Sequence, residues 1–533
     1  DDELDVPAEF NSSSSWSHRV RNCLDEDLEG QVKVGTPTGT LSLRRLFAYI
    51  GPGFLVAIAY IDPGNFDTDI RAGAMYQYKL LWMLALATVM GLFVQFLACK
   101  LGLITQRDLA QQCRASYPKN LNIFLWVMAE VGVIASDIPE VLGTAYALNL
   151  LFGIPLVWGV IITALDTLAF LMLQYASIRV LEFIIGVFLM IVSGCFIIEL
   201  FWSGISVVEM LEGFIPFYGV TEGQGSFGGY GAAAIGLLGA VVMPHNLFLH
   251  SALVKTRDIE RSRLGIKEAM IYNVIECAIA LFVSFVINFS IISISASLFY
   301  YNPDAGLNEA SSLLSVLGSA AGIIFGIALL ASGQSSTITG TYAGQFVMEG
   351  FLNLSISMWK RNLVTRSVAI VPSLLVAVLW GTSGADDLIV WSQVLLSIQL
   401  PFALVPLLKM TGSAKIMGVG YANGTILQSV GWFIGILIII ANVILVGFSV
   451  MDYLDLNRWM GWIVLAIGVD IGILYVVFLA YLSYYAVDSN SKPPVIQSEP
   501  YNEEMTEFID EDEDLFRLPD DDDDEDLVPF GEE

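Results

Sequence analysis

Apolar residues gather in twelve long stretches along the chain, at approximately 46–75, 80–105, 121–148, 155–174, 180–203, 228–255, 270–298, 314–346, 364–381, 388–409, 428–450 and 459–485, with short polar connections between them. A helix of roughly 20 apolar residues spans a bilayer. The pattern therefore predicts an all-α polytopic membrane protein with about 12 transmembrane helices. The first and sixth stretches differ from the rest, because a proline interrupts each of them at Pro63 and Pro244.

Composition agrees with the pattern. The 533 residues are 55% hydrophobic and 15% charged, with a mean hydropathy of +0.67, whereas soluble domains are about 45–50% apolar and about 25% charged. A soluble enzyme, a nucleic-acid binder and a disordered scaffold are excluded as readings of the whole chain. The net charge of −28 also runs against attraction to a phosphate backbone. That charge sits at the ends. Residues 487–533 hold 19 acidic side chains against Lys492 and Arg517, and residues 1–40 hold nine against three bases, leaving −5 for everything between. The expected organisation is an acidic, disordered cytoplasmic tail over 1–43, a transmembrane transporter domain over 44–485 and a second acidic, disordered cytoplasmic tail over 486–533. Such tails cannot bury enough apolar surface to offset their chain entropy. The run Asp520 to Asp526 reads as solvated. The polar first 40 residues carry no signal-peptide core.

Orientation follows from the connections. With twelve spans, 22 of the 25 Lys and Arg residues fall on the side of the two tails, and only Arg71, Lys79 and Arg458 lie opposite. The positive-inside rule then makes both termini cytoplasmic. Plasma, endosomal and vacuolar membranes share that rule. The sequons at Asn353 and Asn423 fall on the cytoplasmic side and are not expected to carry glycans. Cys23, Cys99, Cys113, Cys195 and Cys277 form no CxxC pair and no metal or disulfide pattern.

Candidate chemistry lies inside the apolar stretches. The first contains Ile61-Asp62-Pro63-Gly64-Asn65. A carboxylate at membrane depth costs at least about 2.5–3.5 kcal/mol, so Asp62 should face a cavity or a partner. Pro63 removes a backbone donor and Gly64 loosens the chain, which together predict an unwound segment whose freed carbonyls line that cavity. The sixth stretch repeats the device as Met243-Pro244-His245-Asn246. Two broken helices 181 residues apart suggest a five-plus-five inverted repeat with its substrate held between the breaks. Asp62, Asn65, Met243 and a carbonyl near Ala240 combine hard oxygens with one soft thioether. That set suits a divalent transition metal, while Mg²⁺ and Ca²⁺ take oxygen alone. His245 and His250, five residues apart, do not share a helix face and read as polar lining of a wet pathway. In the third stretch Glu130, Asp137 and Glu140 share roughly one helical face, suggesting a proton relay or a static ion network, with Arg366 as the partner.

Asp62-Pro63-Gly64-Asn65 and Met243-Pro244-His245 resemble the signature breaks of the natural resistance-associated macrophage protein (NRAMP) family of metal transporters. Gly333 to Gln345 is similar to that family's transport signature, Gln393 to Pro401 to its tenth helix, and Asp137 to Thr144 to its third; the likeness spans about 44–480. The resemblance implies a LeuT-like fold with helices 1 and 6 broken, and proton-coupled import of Mn²⁺, Fe²⁺ and similar ions. It implies metal binding by Asp62, Asn65 and Met243, with the carbonyls of Ala59 and Ala240 contributing in different states and Gln393 approaching the metal in occluded ones. It further implies that Asp62, Glu130, Asp137, Glu140 and Arg366 carry or steer protons, with His245 near their route. Metal and protons are cargo and coupling ion, so no cofactor is expected. The partners implied are the bilayer and trafficking factors for the tails. This chain departs from the family at Asp67, often Glu there, and at Arg71, often Gln. A cation at the outer vestibule repels incoming metal unless Asp67 or Asp69 neutralises it.

Two rivals fit less well. A Na⁺-coupled amino-acid carrier shares the broken-helix plan, but Asp62 would repel a substrate carboxylate. A transporter-derived signalling protein would need a large folded C-terminal region, where this chain has only its acidic tail. No Walker loop, HExxH or GxSxG motif supports an enzyme.

Overall fold

The computed structural model describes residues 32–34, 36–37, 42–170, 178–218, 227–299, 306–307, 309–310, 319–354, 358–418, 420–454 and 458–485. The principal helices are α1 (Pro52–Ile58), α2 (Pro63–Tyr76), α3 (Leu81–Thr105), α4 (Lys119–Phe152), α5 (Leu156–Phe170), α6 (Ile178–Trp202) and α7 (Phe227–Val241). They continue as α8 (Pro244–Leu253), α9 (Arg263–Leu298), α10 (Ser319–Leu352), α11 (Met358–Leu379), α12 (Gly381–Thr411), α13 (Thr425–Leu454) and α14 (Arg458–Tyr484). Among the described residues, eight helical stretches are long and apolar enough to cross a membrane. Shorter apolar helices lie at Pro52–Ile61, Leu156–Leu165, Leu363–Leu379 and Gly472–Tyr484. Since Pro63–Thr105 contains both α2 and α3, these account for all twelve expected stretches.

The outer surface is apolar where lipid would lie. Phe183, Met190 and Phe201 on α6, Val371 and Leu375 on α11, and Ile473 and Leu474 on α14 all point outward. The interior is organised around the two interrupted elements. α9 packs against α1, α2, α3 and α6, while α4 packs against α5, α10, α11 and α12. The breaks between α1 and α2 and between α7 and α8 sit between these groups, with α12 contacting α2, α7 and α8.

Both breaks follow from proline. The residue before a proline is pushed out of the α region and into extended conformation, and proline itself is well suited to the first turn of a new helix. Asp62 (φ −73°, ψ 165°) and Met243 (φ −93°, ψ 137°) are those residues. The interruption is tighter than the sequence suggests. After a 3₁₀ turn at Ala59–Ile61, Asp62 alone is extended, and Pro63, Gly64 and Asn65 already belong to α2. The first membrane helix also starts later than residue 46. Leu43–Tyr49 is a separate short helix, and Gly51, at φ 150°, turns the chain into α1.

The end of the bundle that carries Val32–Val34 and Tyr485, the end nearer the termini, is tightly closed. One oxygen of Glu276 on α9 accepts from the backbone N–H groups of Gly51, Gly53 and Phe54 at 2.7, 2.9 and 3.3 Å, capping α1. The fully buried Arg257 donates to Ile50 O at 2.9 Å and pairs with Glu182 of α6 at 2.7 Å. Arg45 pairs with Glu268 and donates to Thr36 O at 2.7 Å. Val32–Lys33 pairs in parallel with Arg257–Asp258, and Val34 is buried beside Tyr49, Cys99 and Tyr272. At residues 32–34 an apolar anchor and backbone pairing hold the chain. Most of both expected tails, 1–31 and 486–533, lies outside the described residues.

Candidate functional site

An α-helical carbonyl normally accepts from the N–H four residues later. For Ala59 and Ala240 that residue is Pro63 and Pro244, neither of which has an N–H. Each proline therefore frees one carbonyl in the turn before the break. At the first break the neighbouring carbonyls are taken up by other elements. Ser284 Oγ donates to Ala57 O at 3.0 Å, Asn288 Nδ2 to Tyr60 O at 2.7 Å, and Ser332 Oγ to Ile61 O. The first two lie on α9 and the third on α10. Ala59 O receives only a local donor, Asn65 Nδ2, at 3.1 Å. Asp62 caps α2: its Oδ1 accepts from Asn65 N at 2.7 Å and Asn65 Nδ2 at 2.8 Å. Asp62, Asn65 and the Ala59 carbonyl thus form one hydrogen-bonded knot.

The second break carries no such cap. Met243 is the N-cap of α8 without a capping side chain. It belongs to a small buried cluster with Ala59, Ala135 and Leu396, which brings the second break against the end of the first. Both side-chain polar atoms of Asn246 and the Nδ1 of His245 are buried without hydrogen-bond partners. Gln393 completes the surround from α12. A Cβ on Gly64 would fall 1.9 Å from Gln393 Nε2, so a larger residue there would displace the amide, and both polar atoms of the Gln393 side chain are buried and unpartnered among the described residues. Asp62, Asn65, Met243, Ala240, Ala59 and Gln393 are between 1% and 4% exposed. The site is closed to both sides of the bundle. Two glycines of α4 admit the prolines: a Cβ on Gly143 would meet Pro63 at 2.3 Å, and Gly132 faces Pro244.

The carboxylates of α4 do share a face, but not a partner. Arg366 Nη2 donates to Glu140 at 2.8 Å, and its Nη1 lies 3.6 Å from Asp137. Glu130 pairs instead with Arg361, at 3.1 Å, and accepts from Trp126. The expectation of one arginine for all three is corrected by length: seven residues of helix separate Glu130 from Asp137, about 10 Å of rise, beyond one guanidinium. Arg361, placed by sequence in a connection, is buried. Gly344 of α10 gives it room, since a Cβ there would lie 1.8 Å from its Nη2, and Gly340 lies against Asp137 and Glu140.

His250 and His245 occupy different surroundings. His250 Nδ1 bonds Gln95 Oε1 at 2.9 Å, and Gln95 Nε2 donates to Tyr60 OH at 3.1 Å. Arg71 is neutralised by Asp67, one turn earlier, at 2.7 Å, whereas Asp69 turns inward. Asp67 also accepts from Leu307 N at 3.1 Å, and Tyr146 OH donates to Asp386 at 2.7 Å, closing the far end of the bundle. Ser284, Asn288, Ser332 and Arg361 were not singled out from sequence. For the first three the available signal is a polar residue inside an apolar stretch; Arg361 lies in a connection and offers none.

Among the described residues no cluster of three His, Cys, Asp or Glu side chains is placed to hold a metal. The donors gathered at the breaks are of another kind: a carboxylate, two amides, a thioether and two carbonyls. Residues 53–447 match the family model described as natural resistance-associated macrophage protein-like. The chain is 47% identical over 505 residues to metal transporter Nramp1 of Populus trichocarpa, covering 90% of this chain and 91% of that one. Its structure superposes on a mutant of the Eremococcus coleocola manganese transporter with a TM-score of 0.76 and 32% identity, covering 84% of this chain and 96% of that one. At 16% identity and a TM-score of 0.52, over 81% of this chain and 93% of the other, it shares its fold with a nucleobase-cation-symport-1 family transporter in a closed conformation. The fold, the multi-pass helical architecture and the long sequence match place the chain in the natural resistance-associated macrophage protein family of divalent-metal transporters.

Proposed function

We propose that this chain imports Mn²⁺, Fe²⁺ and similar transition-metal ions towards the cytoplasm by proton-coupled alternating access. The observation that carries the reading is the pair of proline breaks, which free the Ala59 and Ala240 carbonyls beside Asp62, Asn65 and Met243 in a space closed at both ends. Asp62 supplies the charge that draws a dication out of water, and Asn65 and the carbonyls supply neutral oxygens. Met243 supplies sulfur, which favours softer ions over Ca²⁺ and Mg²⁺. Gln393, unpartnered beside Gly64, is the sixth group within the surround. The similar Eremococcus coleocola protein is a manganese transporter, which supports the same reading.

Protons take a separate course along α4. Asp137 and Glu140 share Arg366, so protonating one changes the hold on the other. Glu130 with Arg361 continues the line, and Asp62 and His245 link it to the metal. Both termini lie in the cytoplasm, in a plasma, endosomal or vacuolar membrane, with the acidic tails available to trafficking factors.

The test is uptake by the full chain in proteoliposomes, with a panel of divalent ions, with and without an inward proton gradient. Mn²⁺ uptake is expected to rise with the gradient and to resist Ca²⁺ and Mg²⁺ competition. Asp137→Asn is expected to retain Mn²⁺ binding while losing proton flux. Uptake indifferent to the gradient would remove the coupling, and equal competition by Ca²⁺ would remove the selectivity argument.

A further inference from the structure

The inward stripe of α6, with the residue just past its end, reads Ile185, Leu189, Val192, Phe196, Glu199 and Ser203, at spacings of four and three residues. All six are buried, while Ile197, Ile198, Phe201 and Trp202 face outward. Glu199 therefore stands in a row where helix periodicity calls for an apolar side chain. It is 0% exposed, and among the described residues neither carboxylate oxygen has a hydrogen-bond partner. Opposite it runs α9, parallel to α6. Ser297 of α9 donates to Ser203 O at 2.7 Å, which sets the register. One turn earlier on each helix stand Glu199 and Ser293, and the Ser293 hydroxyl is likewise buried and unpartnered.

The elements packed against α6 are α1, α9 and α10. α1 has no titratable side chain. On α9, Arg263, Lys267, Glu268, Tyr272, Glu276 and Cys277 all lie in the half nearer the termini, and on α10 so do Tyr342 and Glu349. Nearby stand Asp67, Asp69 and Arg71 on α2, reached through the Phe66–Phe196 ring contact, and Cys195 on α6 itself. Among the described residues no charged side chain pairs with Glu199.

An ionised carboxylate buried in an apolar row without an ion-pair or hydrogen-bond partner is costly, whereas the neutral acid is far less so. We propose that Glu199 is a proton-binding site: it holds a proton while the far ends of α6 and α9 are closed, and releases it when they part and water enters. Closure of the outer route then takes up a proton, so acid outside favours closure over loaded metal. This rests on the proton-coupled import proposed above, and gives it a site apart from α4 and the metal ligands.

The test compares wild type with Glu199→Gln in full-length protein. In proteoliposomes, wild-type Mn²⁺ uptake is expected to rise as outer pH falls, by up to about ten-fold per unit for one linked proton. E199Q mimics the neutral acid and is expected to lose the part of this rise that Glu199 contributes, leaving only the shallower slope carried by α4, with Mn²⁺ affinity unchanged. The infrared C=O band of a protonated carboxyl is expected in wild type at neutral pH and is lost in E199Q. Glu199→Met, which fills the same apolar row, serves if the amide does not fold, and is expected to give the same two results. A variant that keeps the wild-type pH slope, or a spectrum unchanged by it, overturns the proposal. If wild-type uptake ignores outer pH, proton coupling itself fails and the band alone decides Glu199: lost with the side chain, it supports the site; never present, it overturns it.

Discussion

The two breaks use one backbone device and opposite chemistry. In both, a proline opens a helix, leaves its predecessor extended and strips a carbonyl four residues earlier of its donor. At the first break almost every polar group is answered: Asp62 caps α2, Asn65 binds both Asp62 and Ala59 O, and Ser284, Asn288 and Ser332 hold the carbonyls on either side. At the second, Met243 caps nothing, and Asn246 and one nitrogen of His245 are buried unanswered. The repeat is symmetric in backbone and asymmetric in side chains. The first half is a rigid, charged, pre-shaped donor set; the second is a soft donor beside polar groups still seeking partners. On the function proposed above, a dication bound between them would meet hard oxygen from one half and sulfur from the other.

Four substitutions test this contrast. The largest effect is expected from Asp62→Ala, which removes the only charge of the set and the cap of α2 together: Mn²⁺ binding by calorimetry should vanish, and retained uptake would refute its assignment as ligand. Pro244→Ala comes next. It returns an N–H to the Ala240 carbonyl and lets α7 run into α8, so most uptake should be lost while the thermal midpoint is kept or raised. Equal uptake would show that the second break is not what presents Met243. Met243→Ala should cost Mn²⁺ affinity about ten-fold, on the order of 1.4 kcal/mol, and admit Ca²⁺ as a competitor. Unchanged discrimination would make the soft half of the contrast irrelevant. The smallest change in transport is expected from Asn288→Ala, which orphans Tyr60 O at a stability cost of about 1–3 kcal/mol. Its effect should show in thermal unfolding, with the ion preference intact; an altered preference would mean that the support around the first break also selects.

α6 and α4 offer a lesson of a similar kind. The carboxylates of α4 share a face that helix periodicity discloses, and the fold answers each with an arginine. Glu199 occupies an equally buried face with no answer at all. From sequence it is one acidic residue near the end of an apolar stretch, where solvent exposure is an equally good reading. Its isolation is a property of how α6, α9 and α10 pack.

The twelve spans, the two breaks and the chemical types of the donors follow from the sequence alone. Hydrophobic runs, the missing N–H of proline and the steric limit on the residue before it act within a few positions of the chain, so they are legible without a fold. Which groups meet was settled by tertiary structure. Ser284, Asn288 and Ser332 reach the first break from 227, 228 and 271 residues away, Arg361 reaches Glu130 from 231, and Val34 anchors a segment that composition assigns to a solvated tail. Contacts over such separations depend on the register and crossing of whole helices, and on glycines such as Gly102, where a Cβ would lie 2.3 Å from the Ser251 carbonyl, that let two of them close in. No local pattern encodes them.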